Sequence, residues 1–329
     1  MALPTIVHLA DDATAGGVMR VLDHILTAPE LSEIAQHSLK CVDRNGMPLG
    51  HIEADMIVSH LAISWRSMPM LMLLRMRNPK TVLVHVEHSY TEAFVAENVT
   101  RKKRFAALLR LAYGIFNQVI AVSEAQGKWL RTSGAVKASS LSVIQSCVDL
   151  SAFRYLKHPS GPVRVIGAIG RLDRQKGFDT LIEAFKQTRD PNIALYVYGE
   201  GDEEEKLRAL AEGDPRIQFQ GFADPVIAIG SVDAVAMPSR WEAYGLVAIE
   251  ALAAGRKLSV SKVDGLRDHI PFGAVGINGN SVSEWQREIE RLTAVGTGNA
   301  IAAIPVQNFF MRRFADSWRG LLVDMQLGQ

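Results

Sequence analysis

The 329-residue chain is long enough for two ordinary domains, and its 48% hydrophobic and 22% charged residues describe a globular protein with real cores. A formal charge of +1 provides no overall basic field of the kind that draws nucleic acid, although the first half is mildly basic and the second mildly acidic. Two distant cysteines, Cys41 and Cys147, exclude a disulfide framework and point to a reducing compartment.

The chain opens without a basic, then apolar, leader and contains no apolar run of about 18 residues. A cytoplasmic protein is expected, peripheral at most at the inner face of a membrane. Short apolar strands alternate with longer helical segments. Thr5–Leu9 reads as a strand and Gly16–Leu26 as the helix after it. Asp55–Val58 and Thr81–Val86 read as buried strands, Arg101–Tyr113 as a helix, and Gln118–Val122 as a strand. Ser123, with Gln126 three residues on, opens a further helix through a capping box, and Leu141–Ile144 closes the first half.

The turn formers of 157–163 mark a linker. A second series follows: strand Val163–Ile169, helix Asp179–Thr188, strand Ile193–Tyr198, and helix Asp202–Glu212 with an Asp-x-x-Glu start. Then come strand Arg216–Gln220, a helix capped by Asp224 with Pro225 at its first position, strand Asp233–Met237, and helix Gly245–Ala254 stopped by Gly255. This alternation predicts an α/β fold with one parallel, helix-covered sheet in each half. Such sheets bind ligands beyond the carboxyl ends of their strands, and two of them would face each other across a cleft. The expected domains are 1–157, a linker at 158–163, 164–304, and a C-terminal helix within 305–329.

Three stretches of the second half follow strand ends. In the first, Gly170 ends a strand, and Arg171 and Lys176 place two cations before a helix. Cations beside exposed helix N–H groups suit a diphosphate, Arg by its fork and Lys as a point charge; a solvated basic loop would carry the same residues. In the second, Glu242 precedes a helix and Glu250 lies within it, with Tyr244, Gly245 and Leu246 between. The two acids could accept hydrogen bonds from vicinal hydroxyls, while Gly245 and Leu246 offer backbone N–H groups. A carboxylate in so apolar a helix as 246–254 calls for a partner, but helix-dipole and surface roles fit the spacing too. In the third, Gly199 and Phe222 lie in strand-to-helix turns suited either to a flat base or simply to tight turning.

Together these stretches resemble the C-terminal domain of retaining glycosyltransferase family 4, the "group 1" glycosyltransferases of GT-B fold. The G-R-x4-K-G pattern is met by Gly170, Arg171, Lys176 and Gly177, and E-x7-E by Glu242 and Glu250 with Tyr244 and Gly245 after the first acid. The resemblance implies two Rossmann-like domains. It implies that Arg171 and Lys176 hold a donor diphosphate, Glu242 contacts the donor sugar, and Glu250 the ribose. Gly199 and Phe222 would flank the base. The stretch from Asp264 resembles the family's G-G-L-x-E, with Asp264 for the first Gly and Asp268 for Glu, and Lys257 stands where Pro is usual.

In the first half, Gly16 and Gly17 resemble the family's glycine pair, where the backbone meets donor phosphate or acceptor. His88 fits the family histidine beside the transferred sugar; His85 is its competitor. The basic helix start Arg101, Lys102, Lys103 and Arg104 fits an anionic membrane or a phosphorylated acceptor, and equally a solvated face. Apolar spacing makes 308–322 a helix, and the family's last helix often returns to the N-terminal domain, with Trp318 in that position here.

The expected activity is transfer from a nucleotide-diphosphate sugar, a UDP-sugar above others, to an acceptor hydroxyl. No cofactor and no metal are expected, the nucleotide sugar being a substrate. A sugar-nucleotide epimerase and a non-catalytic sugar-nucleotide-binding protein are the alternatives. NAD binding is disfavoured because no G-x-G-x-x-G follows the first strand of either half.

Overall fold

The computed structural model describes residues 2–11, 16–43, 50–294 and 306–327. It divides into two compact units, Met1–Asp149 with Met311–Gln329, and Leu150–Phe310. The boundary lies upstream of the turn-rich 157–163 segment. Phe153, in the 3-10 turn Ala152–Tyr155, is already buried, and that turn packs on helices Pro225–Gly230 and Leu246–Ala253 of the second unit.

Unit 1 holds β1 (Thr5–Ala10), β2 (Gln36–Cys41), β3 (Met56–Ser59), β4 (Val82–Glu87), β5 (Gln118–Ala121) and β6 (Leu141–Val143), ordered β2-β1-β3-β4-β5-β6. All pairings are parallel. The central strands β3 and β5 are buried at every position, as expected of a sheet covered on both faces. Strand β2 was not evident from sequence. Its alternation of polar residues, Gln36, Ser38 and Lys40, is that of an edge, where one side is paired and the other faces water.

Unit 2 holds β7 (Val165–Ile169), β8 (Ala194–Tyr198), β9 (Ile217–Gly221), β10 (Ala234–Met237), β11 (Lys257–Ser261) and β12 (Val275–Ile277), ordered β12-β11-β10-β7-β8-β9 and again parallel. Strands β11 and β12 and the helix Val282–Thr293, opened by a Ser281–Glu284 capping box, extend the series beyond the elements predicted. The helix expected from Asp202 starts later, at Glu204, with no side-chain cap. Backbone replaces the expected carboxylate there: Glu203 N–H donates to the Leu172 carbonyl at 2.9 Å and Glu204 N–H to that of Gly201 at 3.1 Å. Asp224 does cap its helix, accepting from Val226 N–H with Pro225 following, and Gly255 takes the left-handed conformation at φ 65° after Ala254.

The molecule is thus α/β with two six-stranded parallel sheets. In each sheet the strand order reverses once, between β1 and β3 in unit 1 and between β7 and β10 in unit 2. Crevices at the carboxyl ends of such reversals are where open α/β sheets take ligands. The C-terminal helix Val306–Asp324 begins in unit 2, where Phe310 meets Phe272 at 4.9 Å between ring centroids. From Met311 it belongs to unit 1. There Phe314 stacks on His24 at 5.7 Å, and Trp318 meets His8 edge-on at 5.9 Å.

Candidate active site

In unit 2 the reversal between β7 and β10 is where the charged residues collect. Beyond β7 the chain turns at Gly170 (φ 151°), and Asp173 caps a short 3-10 turn, accepting from the Lys176 N–H. Gly177 then takes φ 66° against Pro238, whose carbonyl a Cβ at position 177 would meet at 2.2 Å. The loop from β7 is therefore closed onto the loop from β10, which carries Glu242. Lys176 and Glu242 form a direct ion pair, both largely buried. Ser239 Oγ and Gln175 Nε2 donate to the same carboxylate at 3.5 Å each. Arg171 is exposed and lies along its own loop, 3.2 Å from Asp173 and 3.3 Å from Gln175. One expected cation is thus engaged by an expected acid, while the other faces solvent.

The Glu242 loop is fixed from behind. Its N–H donates to Asp264 Oδ2 at 3.3 Å, and its carbonyl accepts from Gly265 N–H at 3.0 Å. Asp264 has φ 35°, which explains why glycine suits that position; aspartate is among the few other residues that adopt it readily. A Cβ on Gly265 would lie 2.0 Å from the Ala243 carbonyl. Tyr244 is buried, and its carbonyl contacts His269 Nε2 at 2.8 Å. Gly245 (φ 90°) then turns the chain into helix Leu246–Ala253, whose first residues lie beyond β10. Glu250, just over one turn in, is fully buried.

Gly199 follows β8 at φ 133°, and a Cβ there would stand 1.9 Å from the Gly170 carbonyl. Its N–H donates to Gly221 at 2.8 Å, and Gly170 N–H donates to Tyr198 at 3.0 Å. These glycines let the ends of β7, β8 and β9 approach backbone to backbone. Phe222, beyond β9, is 70% exposed and lies two strands from the reversal.

In unit 1, Gly16 precedes and Gly17 opens helix Gly17–Thr27 after β1, both exposed. His85 sits inside β4, buried between Tyr113 and Phe116, 3.6 Å from Glu87. His88 is the residue just past the carboxyl end of β4. Buried Glu87 holds the turn that carries it, accepting from Ser89 N–H at 2.7 Å, Tyr90 N–H at 2.9 Å and Tyr113 OH at 2.7 Å. Burial pushes this carboxyl up, but His85 and these donors outweigh it and leave Glu87 below the usual range. Sequence reasoning missed Glu87, and with it His8, His37 and His60, which join His88 in one hydrogen-bonded series. Its one available signal was the recurrence of histidine at or near apolar strand ends. Arg101, Lys102, Lys103 and Arg104 are exposed at the start of helix Lys102–Tyr113, with Arg104 5.6 Å over the Trp65 ring. Among the described residues no group of three or more His, Cys, Asp or Glu is placed to hold a metal ion, and no helix is long and apolar enough to cross a membrane.

Comparison with known proteins bears on family and fold. Residues 163–294 match the family described as glycosyl transferases group 1, and residues 15–152 match glycosyltransferase family 4. Granule-bound starch synthase 1 of Pisum sativum is 29% identical over 187 residues, 50% of this chain and 31% of that protein. A glycogen synthase of Thermus thermophilus is 34% identical over 119 residues, 34% of this chain and 27% of that one. The matched stretches thus span about a third or less of these relatives. Among solved structures, HepE from Anabaena in complex with UDP and glucose superposes with a TM-score of 0.74 at 18% identity, covering 98% of this chain and 99% of that one. Sucrose-phosphate synthase from Thermosynechococcus elongatus gives 0.69 at 21% identity, covering 98% and 97%. The two family matches account for most of the sequence and the solved structures share its fold, so the chain belongs to the group 1, family 4 glycosyltransferases of GT-B fold.

Proposed function

We propose that the protein transfers a sugar, with retention of anomeric configuration, from a UDP-sugar to an acceptor hydroxyl in glycan, polysaccharide or glycolipid synthesis. The observation that carries this reading is the Lys176–Glu242 pair at the β7/β10 reversal, with Arg171 beside it, in a chain of this family. UDP and glucose in the crystal structure of HepE support the choice of donor.

In this reading the donor diphosphate lies across Arg171, Lys176 and the N-terminus of helix Leu246–Ala253. Fixed cations and helix N–H groups stabilise the negative charge that builds on the leaving group. Glu242, held by Ser239, Gln175 and Lys176, accepts hydrogen bonds from donor sugar hydroxyls. Glu250 accepts from the ribose hydroxyls. Gly199 and Phe222 flank the base, and Gly170, Tyr244, Gly245 and Leu246 shape the floor beneath the phosphates. Gly16 and Gly17 bring backbone N–H groups to donor phosphate or acceptor, and His88 bonds to the transferred sugar. The acceptor oxygen bonds to the anomeric carbon on the face from which the diphosphate leaves. Its proton passes to the departing phosphate oxygen. Because side-chain cations neutralise the diphosphate, no metal is required. The basic start of helix Lys102–Tyr113 makes the contact with an anionic membrane surface.

The test is release of nucleoside diphosphate from a panel of nucleotide sugars in EDTA, with and without hydroxyl acceptors, followed by determination of the product anomer. Acceptor-dependent UDP release with a retained anomer is expected. Conversion of one UDP-sugar into another without acceptor would make the protein an epimerase, and binding without turnover a sugar-nucleotide-binding protein.

A further inference from the structure

Four histidines of unit 1 lie in one hydrogen-bonded series. His37 Nδ1 is 3.1 Å from His8 Nε2, His8 Nδ1 is 3.0 Å from His60 Nε2, and His60 Nδ1 is 2.8 Å from His88 Nε2. The register places them on one face of the sheet. His37 pairs with Ile6, two residues before His8; His60 follows two residues after Val58, the β3 partner of His8; His88 lies four residues beyond Val84, the β4 partner of Val58. The series therefore climbs from the edge strand β2 to the carboxyl ends of β3 and β4. Trp318 covers its far end, edge-on to His8 and to His37.

A neutral imidazole has one N–H donor and one lone-pair acceptor. Burial keeps these rings neutral: His8 is held down at about 3 and His37 and His88 at about 4, and His60 well below the usual value. Three N–H···N bonds in series then admit two proton orders. In one, all four rings carry the proton on Nδ1, and His88 presents an N–H beyond the series. In the other, all carry it on Nε2, and His88 presents a bare Nδ1. An isolated imidazole would exchange freely between the two forms; here a change at one ring requires a change at all four. At the far end His37 Nε2 is buried without a hydrogen bond, so one order leaves an N–H unmet there and the other a lone pair, and the two orders are unequal in energy.

The geometry points to His8, His37 and His60 as positioning residues that lock His88 in one tautomer, so that its Nδ1 meets a substrate hydroxyl in one fixed hydrogen-bonding sense. The catalytic part of this inference rests on the transferase reading above; the tautomer lock itself does not. His8 and His37 act on His88 only through intervening rings, which separates their role from substrate contact.

The test uses full-length protein labelled with 15N-histidine, with the His88 signals assigned by their loss in His88→Gln. Long-range nitrogen–proton correlations in the wild type are expected to show a single His88 tautomer. In His8→Leu the same signals should move toward a mixture, and kcat/KM for transfer should fall about tenfold, as for loss of one well-placed hydrogen bond. His37→Leu, on the edge strand and safer for folding, should shift the mixture in the same direction. A mixed His88 tautomer in the wild type, or the same tautomer in the wild type and both variants, would overturn the inference. If no nucleotide sugar is turned over by the wild type, the activity reading fails, and the tautomer result is still read on its own.

Discussion

At the strand reversal of unit 2 the side chains are charged: Lys176 against Glu242, Arg171 at the rim, Asp264 behind. At the reversal of unit 1 stands His60, bonded to His8 on one side and His88 on the other, and burial holds all three neutral. One sheet topology thus carries two kinds of polar site. Charges that pair across two loops can be re-paired by an anionic ligand. A closed series of neutral rings has no net charge to offer and instead fixes the direction of hydrogen bonds. In the proposed function this becomes a division of labour, unit 2 holding the diphosphate and unit 1 reading hydroxyl groups.

The largest expected break in that contrast is at Lys176. Lys176→Ala should lower kcat/KM for the donor by about 100- to 1,000-fold in steady-state kinetics, the usual cost of removing a group that stabilises a developing anion. Unchanged kinetics would remove the residue from the site. Next comes the scaffold beneath the charges. Gly199→Ala forces a Cβ against the Gly170 carbonyl at a φ of 133°, and should destabilise unit 2 by about 3 kcal/mol in urea unfolding followed by NMR, with unit 1 signals unaffected.

Acid should distinguish the units in the other direction. Burial holds His8 at about 3 and His37 and His88 at about 4, and lowers His24 and His60 as well, so the unfolded chain takes up protons first as the pH falls. Stability present above pH 6.5 is therefore lost progressively toward about pH 4. Unit 1, with five such rings among the described residues, should lose more than unit 2, where buried His269 shifts the same way. Urea titrations at about pH 7.5 and about pH 5.5, read on resonances of each unit, check this; equal losses would contradict it. The smallest effect on folding is expected from replacing Arg101, Lys102, Lys103 and Arg104 together by Gln. Stability should change by about 0.5 kcal/mol or less, since these residues are exposed. Sedimentation with phosphatidylserine vesicles should be lost.

The unit 2 site was legible because its residues lie in short loops directly after strands, where spacing in sequence is spacing in space. Arg171, Lys176, Glu242 and Gly245 all follow β7 or β10 within eight residues. The meaning of Gly199 was only half legible. A glycine was visible, but its partner, the backbone of Gly170, is brought to it by strand pairing. The histidine series was illegible for the same reason on a larger scale: positions 8, 37, 60 and 88 share no period, and strand order brings them together. Strand β2 escaped notice because an edge strand carries polar residues that match no buried pattern. Asp264, a departure from the family's glycine, became intelligible only with its left-handed backbone and its bond to Glu242.

In the proposed function, unit 2 holds a nucleoside diphosphate through Arg171 and Lys176. Calorimetry of UDP, GDP, ADP and CDP in EDTA, with wild type and the Arg171→Ala/Lys176→Ala double variant, tests it most directly. Selective binding of UDP by the wild type and its loss in the variant are expected. Binding of none of the four, or UDP binding of equal strength in the variant, would contradict it.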